Sequence, residues 1–195
     1  MIPVFVGMLI VLGTLVLVGF GLVLAIAGSV TRRAGVVRAG ATLAGLALLG
    51  WGVAWVAGYV GSPSRVVPVG EELSFCGVDC HLHVSVVEAR RNGGLAVTLR
   101  FRNDARREPE YPFHLDIVAR DSAGRLYPPS SGLVAEPLGA GQTVEREFRF
   151  ALAPDAGVPT LMVRYDGWLD YLVPGRGNAL VQSRVRLGLG ETPKA

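Results

Sequence analysis

The residues with the densest chemistry stand together in Phe75-Cys76-Gly77-Val78-Asp79-Cys80-His81-Leu82-His83. Two thiols four apart precede two imidazoles two apart. On an extended strand His81 and His83 project from the same face, because successive side chains alternate. Thiolate and imidazole donors together suit copper(I) or zinc, so Cys76, Cys80, His81 and His83 form a candidate metal set. A disulfide between Cys76 and Cys80 is the competing reading. Fully extended, residues four apart stand about 13 Å from one another, whereas a bridge needs Cα atoms within roughly 7 Å. Gly77 and Asp79 are compatible with a turn that closes the small ring, worth about 2 kcal/mol in the chain-entropy model. A redox-active dithiol is the third reading, although such pairs usually have a shorter spacer.

Other candidates are more dispersed. His114 and Asp116 alternate with Phe113, Leu115 and Ile117, which places the polar pair on the outer face of an expected strand. Were that strand beside His81 and His83, a patch of three histidines would result. Tyr165, Trp168 and Tyr171, with Asp166 and Asp170, read either as a ligand rim or as a cap on one end of the fold, and the cap is preferred. The mixed charges of Arg106 to Tyr111 read as a solvated loop. No Gly-x-Ser-x-Gly elbow, phosphate loop or His-Glu-x-x-His motif occurs, so the expectation is a protein that is not an enzyme.

The elements that must position these residues fall into two regions. No charged residue lies within Ile2 to Val30 or Ala39 to Gly61, and each run exceeds the roughly 20 apolar residues that cross a bilayer. Between them Thr31 to Arg38 carries Arg32, Arg33 and Arg38. The expected architecture is therefore a transmembrane hairpin with helices over about 2–30 and 36–61 and a loop at 31–38. Cytoplasmic loops are the arginine-rich ones, which puts both termini outside the cytoplasm. Ala25-Ile26-Ala27 has the look of a signal cleavage site. The run before it is too long for a signal peptide core and has no preceding positive charge, so an uncleaved anchor is expected. Gly21 and Ala25, and Gly50, Ala54 and Gly58, recur at the spacing that lets helix backbones approach. Trp51, Trp55 and Tyr59 suit the outer interfacial belt. With no acidic residue, His or Lys in either run, transport is a poor reading.

All 16 acidic residues and 16 of the 19 Lys and Arg follow Gly61, so that part is electrically balanced. A nucleic-acid partner is thereby excluded as the meaning of the net charge of +3, which belongs to the three loop arginines. After a linker over 62–73, alternating strands are expected over 74–190, with a short tail at 191–195. His81 to Arg91 and Leu95 to Asn103 flank Asn92-Gly93-Gly94, a strong hairpin signal. Phe113 to Asp121, Arg125 to Tyr127, Gln142 to Leu152, Thr160 to Tyr165 and Asn178 to Leu189 follow. Short strands punctuated by Gly and Pro indicate an all-β antiparallel sandwich.

Four runs carry a family resemblance: Val97-Thr98-Leu99-Arg100-Phe101-Arg102-Asn103, Asp121-Ser122-Ala123-Gly124-Arg125-Leu126-Tyr127, Leu138-Gly139-Ala140-Gly141-Gln142, and Phe148-Arg149-Phe150-Ala151-Leu152. Together they resemble a bacterial immunoglobulin-like family of exported domains, similar in fold to secreted antigens of actinobacteria. The resemblance implies a fold and hardly any activity. The joint expectation is a multi-pass cell-membrane protein presenting an immunoglobulin-like binding or interaction module outside the cytoplasm. Its partners would be the membrane itself and another membrane or cell-envelope protein. The alternative is an exported copper- or zinc-binding domain using the Cys76–His83 segment.

Overall fold

The computed structural model describes residues 2–75, 81–132, 134–165 and 167–190. They divide into two compact units, one from 1–62 with 168–181, the other from 63–167 with 182–195.

The first unit is built on two helices, α1 (Val4–Val30) and α2 (Ala34–Val60), of 27 residues each. At 1.5 Å per residue each is about 40 Å long, enough to cross a bilayer. The reversal between them is tighter than the expected loop. Arg32 takes a φ of 54°, the left-handed conformation that turns the chain, and α2 starts at Ala34. Arg38 therefore stands one turn inside α2 rather than in the loop. The helices meet through glycine. A Cβ on Gly21 would lie 2.6 Å from the Gly40 carbonyl oxygen, and one on Gly28 would lie 2.7 Å from the Val37 nitrogen. This is the intramolecular packing expected of Gly21 and Ala25. Gly50 lies outside that contact, with no neighbour to a Cβ within 4 Å. Large apolar side chains turn outward instead, with Leu15, Ile26 and Leu49 each 64% exposed.

The same unit contains residues 168–181, a 3₁₀ turn over Trp168–Tyr171 and a short helix α3 (Ala179–Gln182) that ends at its edge. Trp51 Nε1 donates to the Leu172 carbonyl at 3.0 Å and Trp55 Nε1 to the Tyr171 carbonyl at 2.8 Å. Trp168 and Tyr171 are thus part of the helical unit.

The second unit is a β-sandwich of two five-stranded sheets. One has the order β1 (Arg65–Val67), β10 (Val185–Gly188), β9 (Thr160–Tyr165), β5 (Leu115–Arg120), β6 (Leu126–Tyr127). The other runs β2 (Leu73–Phe75), β3 (Leu82–Arg91), β4 (Leu95–Asn103), β8 (Thr143–Phe150), β7 (Pro129–Ser131). Every pair is antiparallel but β1 with β10, which is parallel. The expected linker thus contributes β1 and the first residue of β2. Between them lies a core that includes Leu82, Val84, Val86, Val97, Leu99, Phe101, Phe148, Leu161, Val163 and Leu187. The alternating apolar residues of β3, β4 and β8 face inward as the sequence implies. Phe113 departs from that pattern: it lies in a 3₁₀ turn over Pro112–His114, is 48% exposed, and packs edge-on against Tyr111.

The motifs behind the family resemblance are architectural. Asp121, buried, accepts hydrogen bonds from the Arg125 backbone N–H at 2.8 Å, from Arg125 Nε at 2.6 Å and from the Tyr127 hydroxyl at 3.0 Å, which locks the β5–β6 hairpin. Asn103, fully buried, donates from Nδ2 to the carbonyls of Glu108, Leu138 and Gly139 and accepts from the Ala105 N–H.

Candidate functional site

The site grows from the β3–β4 hairpin. Its register shifts between Val86 and Glu88, a bulge that takes Val87 out of the ladder. Beyond the bulge Leu82 pairs with Asn103 and His83 with Arg102, and the Asp104 N–H donates to the His81 carbonyl. Asp104 thereby reaches the side of the strand that carries the imidazoles. On the other flank β2 pairs Ser74 with His83.

The side chains converge on Asp104. His81 Nδ1 lies 2.8 Å from Asp104 Oδ1 and His83 Nε2 lies 2.8 Å from Oδ2. An ionised carboxylate only accepts, so each imidazole presents an N–H to it. His83 Nδ1 stands 3.0 Å from the Ser74 hydroxyl, which donates to it when the ring is neutral. Arg102 grips Glu72 through Nε at 3.0 Å and through its second nitrogen at 2.5 Å, and approaches Asp104 at 3.6 Å. The hydrogen bond from His81 leads in holding the Asp104 carboxyl below its ordinary range, with His83 and Arg102 adding to it against partial desolvation. The Arg102 hydrogen bond does the same for Glu72, and Glu72 in turn raises Arg102. The result is an alternating row of acids and bases at the exposed edge of the sheet. The row continues across it in the Arg100–Glu145 pair at 2.8 Å and the Arg149–Glu147 pair at 2.8 Å.

The structure thus brings together His81 and His83, as the alternation implies, and joins to them Glu72, Ser74, Arg102 and Asp104, which sequence reasoning did not single out. The missing signal was the bulge. Without it, counting back from Asn92-Gly93-Gly94 sets Ala105, rather than Asp104, opposite His81. Cys76 and Cys80 lie outside the described residues, so the disulfide and the thiolate half of the metal set are not addressed. Among the described residues no group of three or more His, Cys, Asp or Glu is arranged to hold a metal ion. Both ring nitrogens of His83 are engaged as described, and copper or zinc would have to displace Asp104 or Ser74 to reach it. His114 does not join the patch. It precedes β5, which pairs with β6 and β9 in the opposite sheet, and its ring lies against Phe113 with centroids 4.3 Å apart. Tyr165 packs edge-on against Phe75, while Asp166 is outside the described residues.

No protein-family model matches the sequence, nor does any curated protein. Solved structures that align with it include two of bacterial origin. One is the secreted protein MPT63 from Mycobacterium tuberculosis, at a TM-score of 0.40 and 10% identity, over 64% of this chain and 98% of that one. The other is an ApaG protein from Pseudomonas aeruginosa, at a TM-score of 0.27 and 22% identity, over 47% of this chain and 85% of that one. Both stand too far from this chain to inform its function, and the sandwich follows from its own two sheets.

Proposed function

We propose that this chain is an integral membrane protein whose helical hairpin anchors an immunoglobulin-like sandwich outside the cytoplasm, where the sandwich acts as a binding module. One observation carries the reading: α1 and α2 touch each other through glycine and turn their leucines, valines and isoleucines outward. In water that arrangement would expose an apolar surface far larger than a soluble monomer presents. In lipid it is the expected one, since close backbone packing rather than apolar burial joins membrane helices. Arg32, Arg33 and Arg38 at the bend favour its cytoplasmic placement. The surface offered to a partner is the outward face of β2, β3 and β4, with acids and bases between Glu72 and Asp104. A partner of matching polarity would exchange ion pairs with it, and the proposal assigns the chain no reaction.

The test is a fusion of alkaline phosphatase, which is active only when exported, after Ala195, compared with a cytosol-active reporter at the same point. High phosphatase activity with membrane retention through alkaline carbonate washing is expected. Activity only from the cytosolic reporter, or release by carbonate, would overturn the topology or the anchoring respectively.

A further inference from the structure

The connection between β9 and β10, residues 168–181, is irregular backbone packed on the helices, and its position along α2 decides what surrounds it. Arg38 is the last charged residue of that helix. Counting from Ala39, about 20 residues cover the roughly 30 Å of a hydrocarbon core and end near Tyr59. Trp55 and Trp51, whose indoles bind the carbonyls of Tyr171 and Leu172, therefore stand about 6 and 12 Å inside that boundary. Higher up, Gly58 faces Gly175, and Gly7 of α1 faces Val173 and Pro174.

Non-helical backbone survives at such depth only when its polar groups are satisfied within the protein. Here they are. Asn178, buried, donates from Nδ2 to the carbonyls of Tyr171 at 2.9 Å and Val173 at 3.0 Å. The Leu172 N–H bonds the Leu169 carbonyl, the Arg176 N–H the Ile2 carbonyl, and the Leu180 N–H the Asn178 side chain. While the segment's polar atoms turn inward, Trp168 and Leu169 turn out, 73% and 54% exposed. They add to the exposed apolar side chains of the helical unit.

We propose that residues 168–181 form an interfacial element of the membrane unit, with Trp168 and Leu169 inserted among phospholipid acyl chains of the outer leaflet. The inference rests on the membrane-anchored reading above, and its test separates the two. Trp51, Trp55 and Trp168 are the chain's three tryptophans, so subtracting the emission of a Trp168→Phe variant from that of the wild type isolates Trp168. Both full-length proteins are reconstituted in phosphatidylcholine vesicles with plain or brominated acyl chains, then titrated with aqueous iodide. The Trp168 component should lose most of its emission to brominated lipid and little to iodide. Quenching by iodide alone would place the segment in water and overturn the proposal. Shielding from both quenchers would mean that protein, such as a second copy, covers Trp168, and would overturn it equally. If bromine fails to quench the Phe variant, whose signal comes from Trp51 and Trp55, the hairpin itself is not in lipid and the anchoring reading falls as well.

Discussion

The two units solve packing in opposite directions. In the sandwich Phe101, Leu99 and Val97 have no exposed surface, and Arg100, Glu145 and Arg149 face outward. In α1 and α2 the buried positions are Val4, Gly7, Gly21, Gly28, Gly40 and Gly58, while Leu15 and Leu49 are outward. Burial of large apolar side chains stabilises the first because water surrounds it. Where lipid surrounds the element, a leucine gains nothing by turning in, and backbone proximity is what remains to be gained. On the membrane-anchored reading proposed above, the same amino-acid types mean opposite things in the two units.

Substitutions that respect one rule and violate the other sharpen this contrast. The largest effect is expected for Phe101→Ala, which empties a fully buried site and should cost the sandwich about 3–5 kcal/mol. Because all three tryptophans belong to the helical unit, denaturation should show the loss in near-ultraviolet tyrosine signals and leave the tryptophan transition in place. Next is Gly40→Leu, a gain in hydrophobicity that drives a side chain into the Gly21 backbone. It should destabilise helix packing by about 3 kcal/mol and shift the tryptophan transition alone; a stabilised hairpin would refute the glycine-contact rule. Asn103→Ala should follow at about 2 kcal/mol, since three carbonyls lose their donor, visible as a lower denaturant midpoint for the sandwich. Asp104→Asn should have the smallest effect, and a pH-dependent one. A carboxyl held below its ordinary 3.8 stabilises the fold above that pH, and the contribution is lost as pH falls through the lowered value. The difference between wild type and variant should accordingly be present near neutrality and fade on acidification below about 4. A difference that grows in acid would contradict the network.

Much of the architecture was legible because it rests on period and punctuation. Charge-free runs gave the helices, and alternation around Asn92-Gly93-Gly94 gave β3 and β4. The candidate site was legible only in part, for a reason that β3 itself displays. Its core-facing positions are Leu82, Val84 and Val86, then Ala89, a change of parity that one inserted residue must absorb. A uniform count passes over that change and sets Ala105, not Asp104, opposite His81. Phe113 failed for another reason: Pro112 imposes a turn in which alternation has no meaning. Residues 129–131 were passed over because two prolines argue against a strand, yet β7 is an edge strand, where a missing N–H is tolerated. The role of residues 168–181 lay beyond local pattern altogether, since the partners of Trp51 and Trp55 are more than a hundred positions away.

That long-range clasp has a practical corollary for anyone dissecting the molecule. The chain passes between its two units three times, near residues 62, 167 and 181. A protease nick after Ser62 would sever one tie yet leave both helices gripping residues 168–181 through indole N–H groups and glycine contacts, so the pieces should co-purify under mild conditions. A fragment begun at Arg65, by contrast, would present Leu172 and its neighbours bereft of their indole donors, making it a sticky reagent rather than a faithful miniature of the outer half.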